Sequence, residues 1–130
     1  MVGKKVLVVD DEIHIVHVVA IKLRNNGYEV LSADNGAEAF ELACKERPDI
    51  IVTDFQMPVM SGLELVEKLR QHQGTKDIPV IMLTARSFAI PEEQQENLRI
   101  SSCLRKPFSP KELLGNIEDV LYQKEVMVGR

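Results

Sequence analysis

Residues 49–54 read DIIVTD, and this stretch decides the fold class. Its interior, 50–52, is continuously apolar, which is typical of a strand that other elements cover on both faces. The preceding Pro48 indicates the end of a helix over 35–47. The stretch therefore predicts a buried strand of a parallel sheet with helices on both faces.

Outward from this strand, the chain alternates between strand-like and helix-like segments. The predicted strands are 4–9, 28–33, 49–54, 79–84 and 100–104. The predicted helices are 12–26, 35–47, 61–72, 91–98 and 109–122. This alternation predicts an α/β fold with a doubly wound parallel sheet, whose site lies beyond the carboxyl ends of the strands. We expect one domain over residues 1–123 and a tail at 124–130.

Local signals support the ends of three of these helices. Ser61 and Glu64 match a capping box at the start of the third helix. Ser109 followed by Pro110 indicates the start of the last helix, and Gly27 indicates the end of the first. These positions fix where the loops between strands and helices lie.

The composition narrows the function classes. The 130 residues fit one domain, and the net charge of −4 argues against a general nucleic-acid binder. No apolar run approaches the ~20 residues that span a bilayer, and the N-terminal run ends at Asp10, too early for a signal peptide. Cys44 and Cys103 lack metal-type spacing and fit a reducing compartment. We therefore expect a cytoplasmic protein without membrane insertion or direct nucleic-acid contact.

Polar and charged residues stand where the apolar strands stop. Asp10 and Asp11 follow the first strand, Asp54 ends the third, Thr84 ends the fourth, and Lys106 follows the fifth. Because the carboxyl ends of parallel strands meet at one edge of a sheet, the fold brings these side chains together. Taken singly, the aspartates could be helix caps or turn residues, and the lysine a solvated loop residue. Their joint presence favours a shared site.

The chemistry of this set points to a metal and a phosphoryl group. Adjacent carboxylates repel, and a small hard cation such as Mg²⁺ relieves the repulsion through oxygen ligands. A carboxylate that faces a lysine is well placed to accept a phosphoryl group as an acyl phosphate. Metal and lysine would supply the positive charge that phosphoryl transfer needs, and Thr84 could hydrogen-bond a phosphoryl oxygen.

Four motifs resemble those of a bacterial response-regulator receiver domain. They are VLVVDDE (6–12), DIIVTDFQMPVMSGLEL (49–65), PVIMLTA (79–85) and LRKPF (104–108). In this order and spacing the four are highly specific, and the resemblance runs from about residue 4 to about residue 121. It implies a flavodoxin-like five-stranded parallel sheet in the order 2-1-3-4-5 with five helices.

The resemblance also implies a role for each residue at the sheet edge. Asp54 is the expected phospho-acceptor. The expected Mg²⁺ ligands are Asp11 directly, Asp10 through water, Asp54, and the backbone carbonyl of Gln56.

Thr84 and Lys106 are expected to contact the phosphoryl group, and the Lys106–Pro107 bond is expected to be cis.

Receivers take the phosphoryl group from a histidine kinase or a phosphotransfer domain, and they catalyse their own dephosphorylation. The resemblance thus implies a switch that changes affinity for an unknown downstream protein, and no turnover of an external substrate. Because the chain ends about where the resemblance ends, we expect a single-domain protein.

Three positions depart from the family pattern or stand where it is tuned. Cys103 stands where receivers usually carry Tyr or Phe, so the usual aromatic rotation cannot report phosphorylation. We hypothesise that the surface of the fourth helix and fifth strand signals differently, or is not the main output. Arg86 and Gln56 stand where family members tune the lifetime of the phosphoryl group.

Three other functions stay open at this point. A phosphatase with an aspartyl-phosphate intermediate typically has two aspartates at alternate positions after the first strand, whereas Asp10 and Asp11 are adjacent. A flavin or nucleotide binder needs a Gly- or Ser/Thr-rich phosphate loop there. A phosphorylation-independent interaction module is the main alternative, and the intact acidic set argues against it.

Overall fold

The structure is a computed structural model that describes residues 3–85 and 90–128. Its strands are β1 (Lys5–Val9), β2 (Glu29–Ala33), β3 (Ile50–Asp54), β4 (Val80–Thr84) and β5 (Ser102–Arg105). Its helices are α1 (Ile13–Asn25), α2 (Gly36–Glu46), α3 (Gly62–Gln71), α4 (Glu92–Asn97) and α5 (Pro110–Val128). Strands and helices alternate as the sequence predicts.

The sheet has the order β2-β1-β3-β4-β5, and every strand pair is parallel. All five residues of β3 are buried, because the strand lies in the centre of the sheet with helices on both faces. The strand order reverses beside β1, where β2 lies on one side and β3 on the other. The predicted fold class and strand order are confirmed.

The sheet divides the core into two apolar layers. Val6 and Val8 of β1 pack with α1 and α5, whereas Leu7 and Val9 pack with α2 and α3. Successive side chains of a strand point to opposite faces, so a strand buried on both faces must be apolar throughout. This packing explains the unbroken apolar runs in the sequence.

Side-chain caps begin two of the helices as predicted. Ser61 and Glu64 form the capping box of α3, and Ser109 Oγ accepts a hydrogen bond from Glu112 N at 3.0 Å. Helix α1 differs, because Glu12 occupies its N-cap position without a side-chain capping hydrogen bond. The Glu12 carboxylate is therefore available to other partners.

The predicted end of the last helix is wrong. Helix α5 continues to Val128, so the expected tail at 124–130 is helical as far as that residue. No glycine or proline interrupts the chain between Gly115 and Gly129, and Lys4 Nζ lies 3.6 Å from Glu125 Oε1. Strand β5 begins two residues later than predicted. Within the described ranges, no helix is long and apolar enough to span a membrane.

Candidate functional site

Backbone hydrogen bonds between neighbouring strands bring the predicted residues to one edge of the sheet. Asp10 N donates to Ala33 O at 3.2 Å, just beyond β1. Lys106 N donates to Thr84 O at 2.8 Å, just beyond β4 and β5. These bonds continue the parallel ladder past the strand ends, so the sheet itself positions the site.

Three carboxylates form a cluster at this edge. Oxygen atoms of Asp10, Asp11 and Asp54 all lie within 4.8 Å of one another. Asp10 and Asp54 are buried, whereas Asp11 is exposed. An all-oxygen set of anionic donors with one open side fits a small hard cation that keeps part of its water shell. The predicted convergence of the three aspartates is confirmed.

The Asp54 carboxylate lies in an unfavourable environment. Burial raises its pKa from 3.8 to about 6, and the neighbouring Asp10 charge adds to the rise. The ammonium of Lys106 opposes the rise through its charge and its hydrogen bond. Since desolvation and a like charge both disfavour the ionised form, a further cation at this edge would stabilise it.

The ammonium group of Lys106 contacts three carboxylates of this edge. Its Nζ is 3.1 Å from Asp10 Oδ2, 3.2 Å from Glu12 Oε1 and 3.2 Å from Asp54 Oδ1. Burial alone would lower the pKa of Lys106, but the hydrogen bond to Asp10 and the charges of Asp54 and Asp10 raise it above its usual value. The lysine is therefore a fixed cation at neutral pH. The Lys106–Pro107 bond is cis, as expected.

The loop after β3 approaches the acceptor strand closely. Gly62 N donates to Phe55 O at 2.8 Å, and a Cβ on Gly62 would lie 2.4 Å from Asp54 O. Only a residue without a side chain fits there, and the close approach fixes the backbone around Asp54. Gln56, within this loop, is exposed, and its carbonyl stays a predicted metal ligand.

Three other positions singled out in the sequence differ in how far the structure describes them. Thr84 is buried and pairs with Arg105 in the sheet register, and its contact with a phosphoryl group stays a prediction. Arg86 lies outside the described residues. Cys103 is half-buried against the apolar layer of α2 and α3, and burial raises the pKa of its thiol.

Glu12 contacts the site through Lys106, and the sequence did not predict this contact. This contact joins the start of α1 to the loop between β5 and α5, and the two residues are 94 positions apart in the sequence. The available signal was the place of Glu12 in the acidic run DDE, directly before an uncapped helix.

Comparisons with known proteins agree with this geometry. The model of the response regulator receiver domain matches residues 6–118. The phosphate regulon regulator PhoB of Pseudomonas aeruginosa is 40% identical over 121 residues, which are 93% of this chain and 53% of PhoB. The regulator PhoP of alkaline phosphatase synthesis in Bacillus subtilis is 36% identical over 124 residues, 95% of this chain and 51% of PhoP. The chain thus spans about half the length of these curated relatives.

Solved structures match the chain over almost their whole length. The chemotaxis response regulator CheY4 of Vibrio cholerae is 38% identical with a TM-score of 0.84, over 91% of this chain and 98% of CheY4. The receiver domain of the sensor histidine kinase PA1611 of Pseudomonas aeruginosa, solved with a magnesium ion in its active-site cleft, is 28% identical. Its TM-score is 0.82, over 92% of this chain and 98% of that domain. By sequence, strand order and family match, the chain belongs to the response regulator receiver domains of two-component signalling.

Proposed function

We propose that Asp54 accepts a phosphoryl group in a Mg²⁺-dependent reaction and that the receiver signals through altered affinity for another protein. One observation carries the proposal. Asp54 Oδ1 lies 3.2 Å from Lys106 Nζ, and its carboxylate belongs to a cluster of three. Catalysis of phosphoryl transfer is mainly positioning and neutralisation of charge, and this arrangement provides a positioned acceptor beside a fixed cation.

The residues fit the magnesium ion that the family implies. The carboxylates of Asp10, Asp11 and Asp54 would hold it with the backbone carbonyl of Gln56. Burial, and then the Asp10 charge, raises the pKa of Asp54, so a bound cation would favour the ionised form. When bound, Mg²⁺ supplies positive charge that neutralises the oxygens of the transferring group.

In the proposed reaction, an oxygen of ionised Asp54 attacks the phosphorus of a phosphohistidine. The new P–O bond forms while the P–N bond breaks, and the imidazole keeps the electron pair and takes up a proton. Lys106 and the Thr84 hydroxyl donate hydrogen bonds to phosphoryl oxygens. Later attack of water on the phosphorus releases inorganic phosphate and restores the Asp54 carboxylate, so the receiver resets itself.

The proposed donor is a histidine kinase or a phosphotransfer domain, and the proposed setting is the cytoplasm. Cys103 offers no ring that could rotate, so we propose that the α4–β5 surface reports phosphorylation differently from an aromatic switch. A chemical-shift comparison with and without beryllofluoride tests this point. Large changes confined to the α4–β5 surface would contradict it.

Intact-mass analysis with acetyl phosphate and Mg²⁺ tests the main proposal. The wild type and Asp34→Asn, an exposed aspartate just beyond β2, should both gain one phosphoryl group. Asp54→Asn should gain none, and omission of Mg²⁺ should abolish the adduct of the wild type and of Asp34→Asn. An unlabelled wild type would contradict the proposal and favour the phosphorylation-independent interaction module. A labelled Asp54→Asn would contradict it by showing that another residue accepts the phosphoryl group.

A further inference from the structure

Glu12 is attached to the site by two contacts. Its backbone N donates to Asp10 Oδ1 at 2.9 Å, and its side-chain Oε1 accepts a hydrogen bond from Lys106 Nζ at 3.2 Å. The first contact fixes the backbone at the start of α1. The second contact joins that start to the loop after β5, directly at the acceptor.

The three contacts of Lys106 match its capacity to donate. An ammonium group has three N–H donors, and carboxylate oxygens of Asp10, Glu12 and Asp54 lie at 3.1, 3.2 and 3.2 Å from Nζ. A phosphoryl oxygen on Asp54 that approaches Lys106 therefore meets an ammonium group that already donates to Asp10 and Glu12.

Solvent exposure determines which carboxylate gives up its donor most easily. The side chain of Asp10 is 0% exposed and that of Asp54 is 11% exposed, whereas that of Glu12 is 51% exposed. A buried carboxylate that loses its partner stays desolvated, but Glu12 can exchange the lysine for water.

We propose that Glu12 is a positioning residue that occupies the third donor of Lys106 in the unphosphorylated site and yields it to a phosphoryl oxygen on Asp54. The inference rests on the proposed function, since it needs a phosphoryl group at Asp54. Glu12 then competes with that group for the same hydrogen bond. Removing the competitor favours the phosphorylated state.

Binding of beryllofluoride with Mg²⁺, measured by calorimetry, tests the competition. Glu12→Gln should bind beryllofluoride about two- to fivefold more tightly than the wild type. The factor is small because a half-exposed ion pair contributes little free energy. Glu12→Asp keeps the charge but is one methylene shorter, so it should bind more tightly as well. Asp34→Asn, which removes an exposed charge at the same edge, should match the wild type.

The two Glu12 variants distinguish an effect of the hydrogen bond to Lys106 from an effect of the negative charge alone. If Glu12→Asp and wild type bind alike while Glu12→Gln binds more tightly, only the charge matters and the inference is overturned. Unchanged or weaker binding by Glu12→Gln also overturns it, because Glu12 would then keep its lysine contact in the phosphorylated state. A wild type that binds no beryllofluoride and gains no phosphoryl group refutes the proposed function instead.

A second measurement needs neither metal nor phosphoryl group. In the metal-free wild type, the Lys106 ammonium protons should exchange with water more slowly than in Glu12→Gln. Unfolding of Glu12→Gln, Lys106→Met and the double variant should show coupling, since each single change removes the same contact. Additive effects together with unchanged proton exchange would show that the contact does not hold the lysine.

Discussion

Asp54→Asn should stabilise the metal-free protein, although it removes the proposed acceptor. The Asp54 side chain is 11% exposed, and burial together with Asp10 raises the pKa of its carboxyl from 3.8 to about 6. The folded state therefore binds this proton more tightly than the unfolded state. By linkage, the free energy of unfolding falls as the pH rises from about 4 to about 6, and this contribution stays constant above that range.

The size of the effect follows from the pKa. Each tenfold change in an ionisation equilibrium is about 1.4 kcal/mol, so a rise from 3.8 to about 6 corresponds to about 3 kcal/mol. Asparagine resembles the neutral acid in shape and carries no charge to desolvate. Since the variant also loses the contact with Lys106, we expect a gain of about 1–3 kcal/mol at pH 7. Near pH 4 the gain should vanish, because the wild-type carboxyl is then protonated in the folded state.

Urea unfolding in EDTA between pH 4 and pH 8, followed by circular dichroism, measures this difference. Asp119→Asn removes the same charge from an exposed position on α5 and should change stability little at any pH. A variant Asp54→Asn that is less stable than the wild type at pH 7 would refute the reasoning. So would a gain that does not depend on pH, because desolvation of a charge would then not be its cause.

Four further predictions concern the same unfolding measurements. Mg²⁺ at ten times its dissociation constant should stabilise the wild type by about 1.4 kcal/mol and Asp54→Asn by less, as urea titrations at fixed Mg²⁺ would show. Val59 is 83% exposed and has a φ of 72°, a left-handed conformation that is unfavourable for a β-branched residue, so Val59→Asn should raise the free energy of unfolding by about 1 kcal/mol. Arg70 donates to four backbone carbonyls in and around the 72–79 loop and the α4–β5 turn, and Arg70→Met should lower the free energy of unfolding by about 2–4 kcal/mol. The Tyr28 hydroxyl is buried and has no hydrogen-bond partner among the described residues, so Tyr28→Phe should stabilise by about 1 kcal/mol, and a loss of stability would reveal a partner.

The features that sequence predicted well depend on local or periodic signals. The apolar runs of β1 and β3 and the cap at Ser61 each involve a few consecutive residues. The convergence of Asp10 with Asp54 was predictable as well, because parallel strands deliver their carboxyl ends to one edge. The strand order came from the family motifs, since periodicity alone does not decide which strands are neighbours.

The features that the sequence did not predict are mostly contacts that long side chains make between segments far apart in the chain. The contact of Glu12 with Lys106 and those of Arg70 with the α4–β5 turn join residues 94 and 28 positions apart. No spacing rule predicts which loop such a side chain meets. The length of α5 was missed for another reason, because its last turns lack the apolar periodicity that marks a helix in sequence, although nothing there breaks one.

The stability of the metal-free fold and the function of its site oppose each other. The ammonium of Lys106 faces three carboxylates, and Asp11 adds a fourth to the same edge, so the negative charge is not balanced by this lysine. An apolar or amide side chain at Asp54 would suit the fold better, but it could not form an acyl phosphate. The excess charge would give this edge the proposed affinity for a divalent cation. If further lysines neutralised these carboxylates, the fold would be more stable, but the site would bind a divalent cation more weakly. Such a trade-off between stability and activity is expected where the chemistry requires like charges to lie close together.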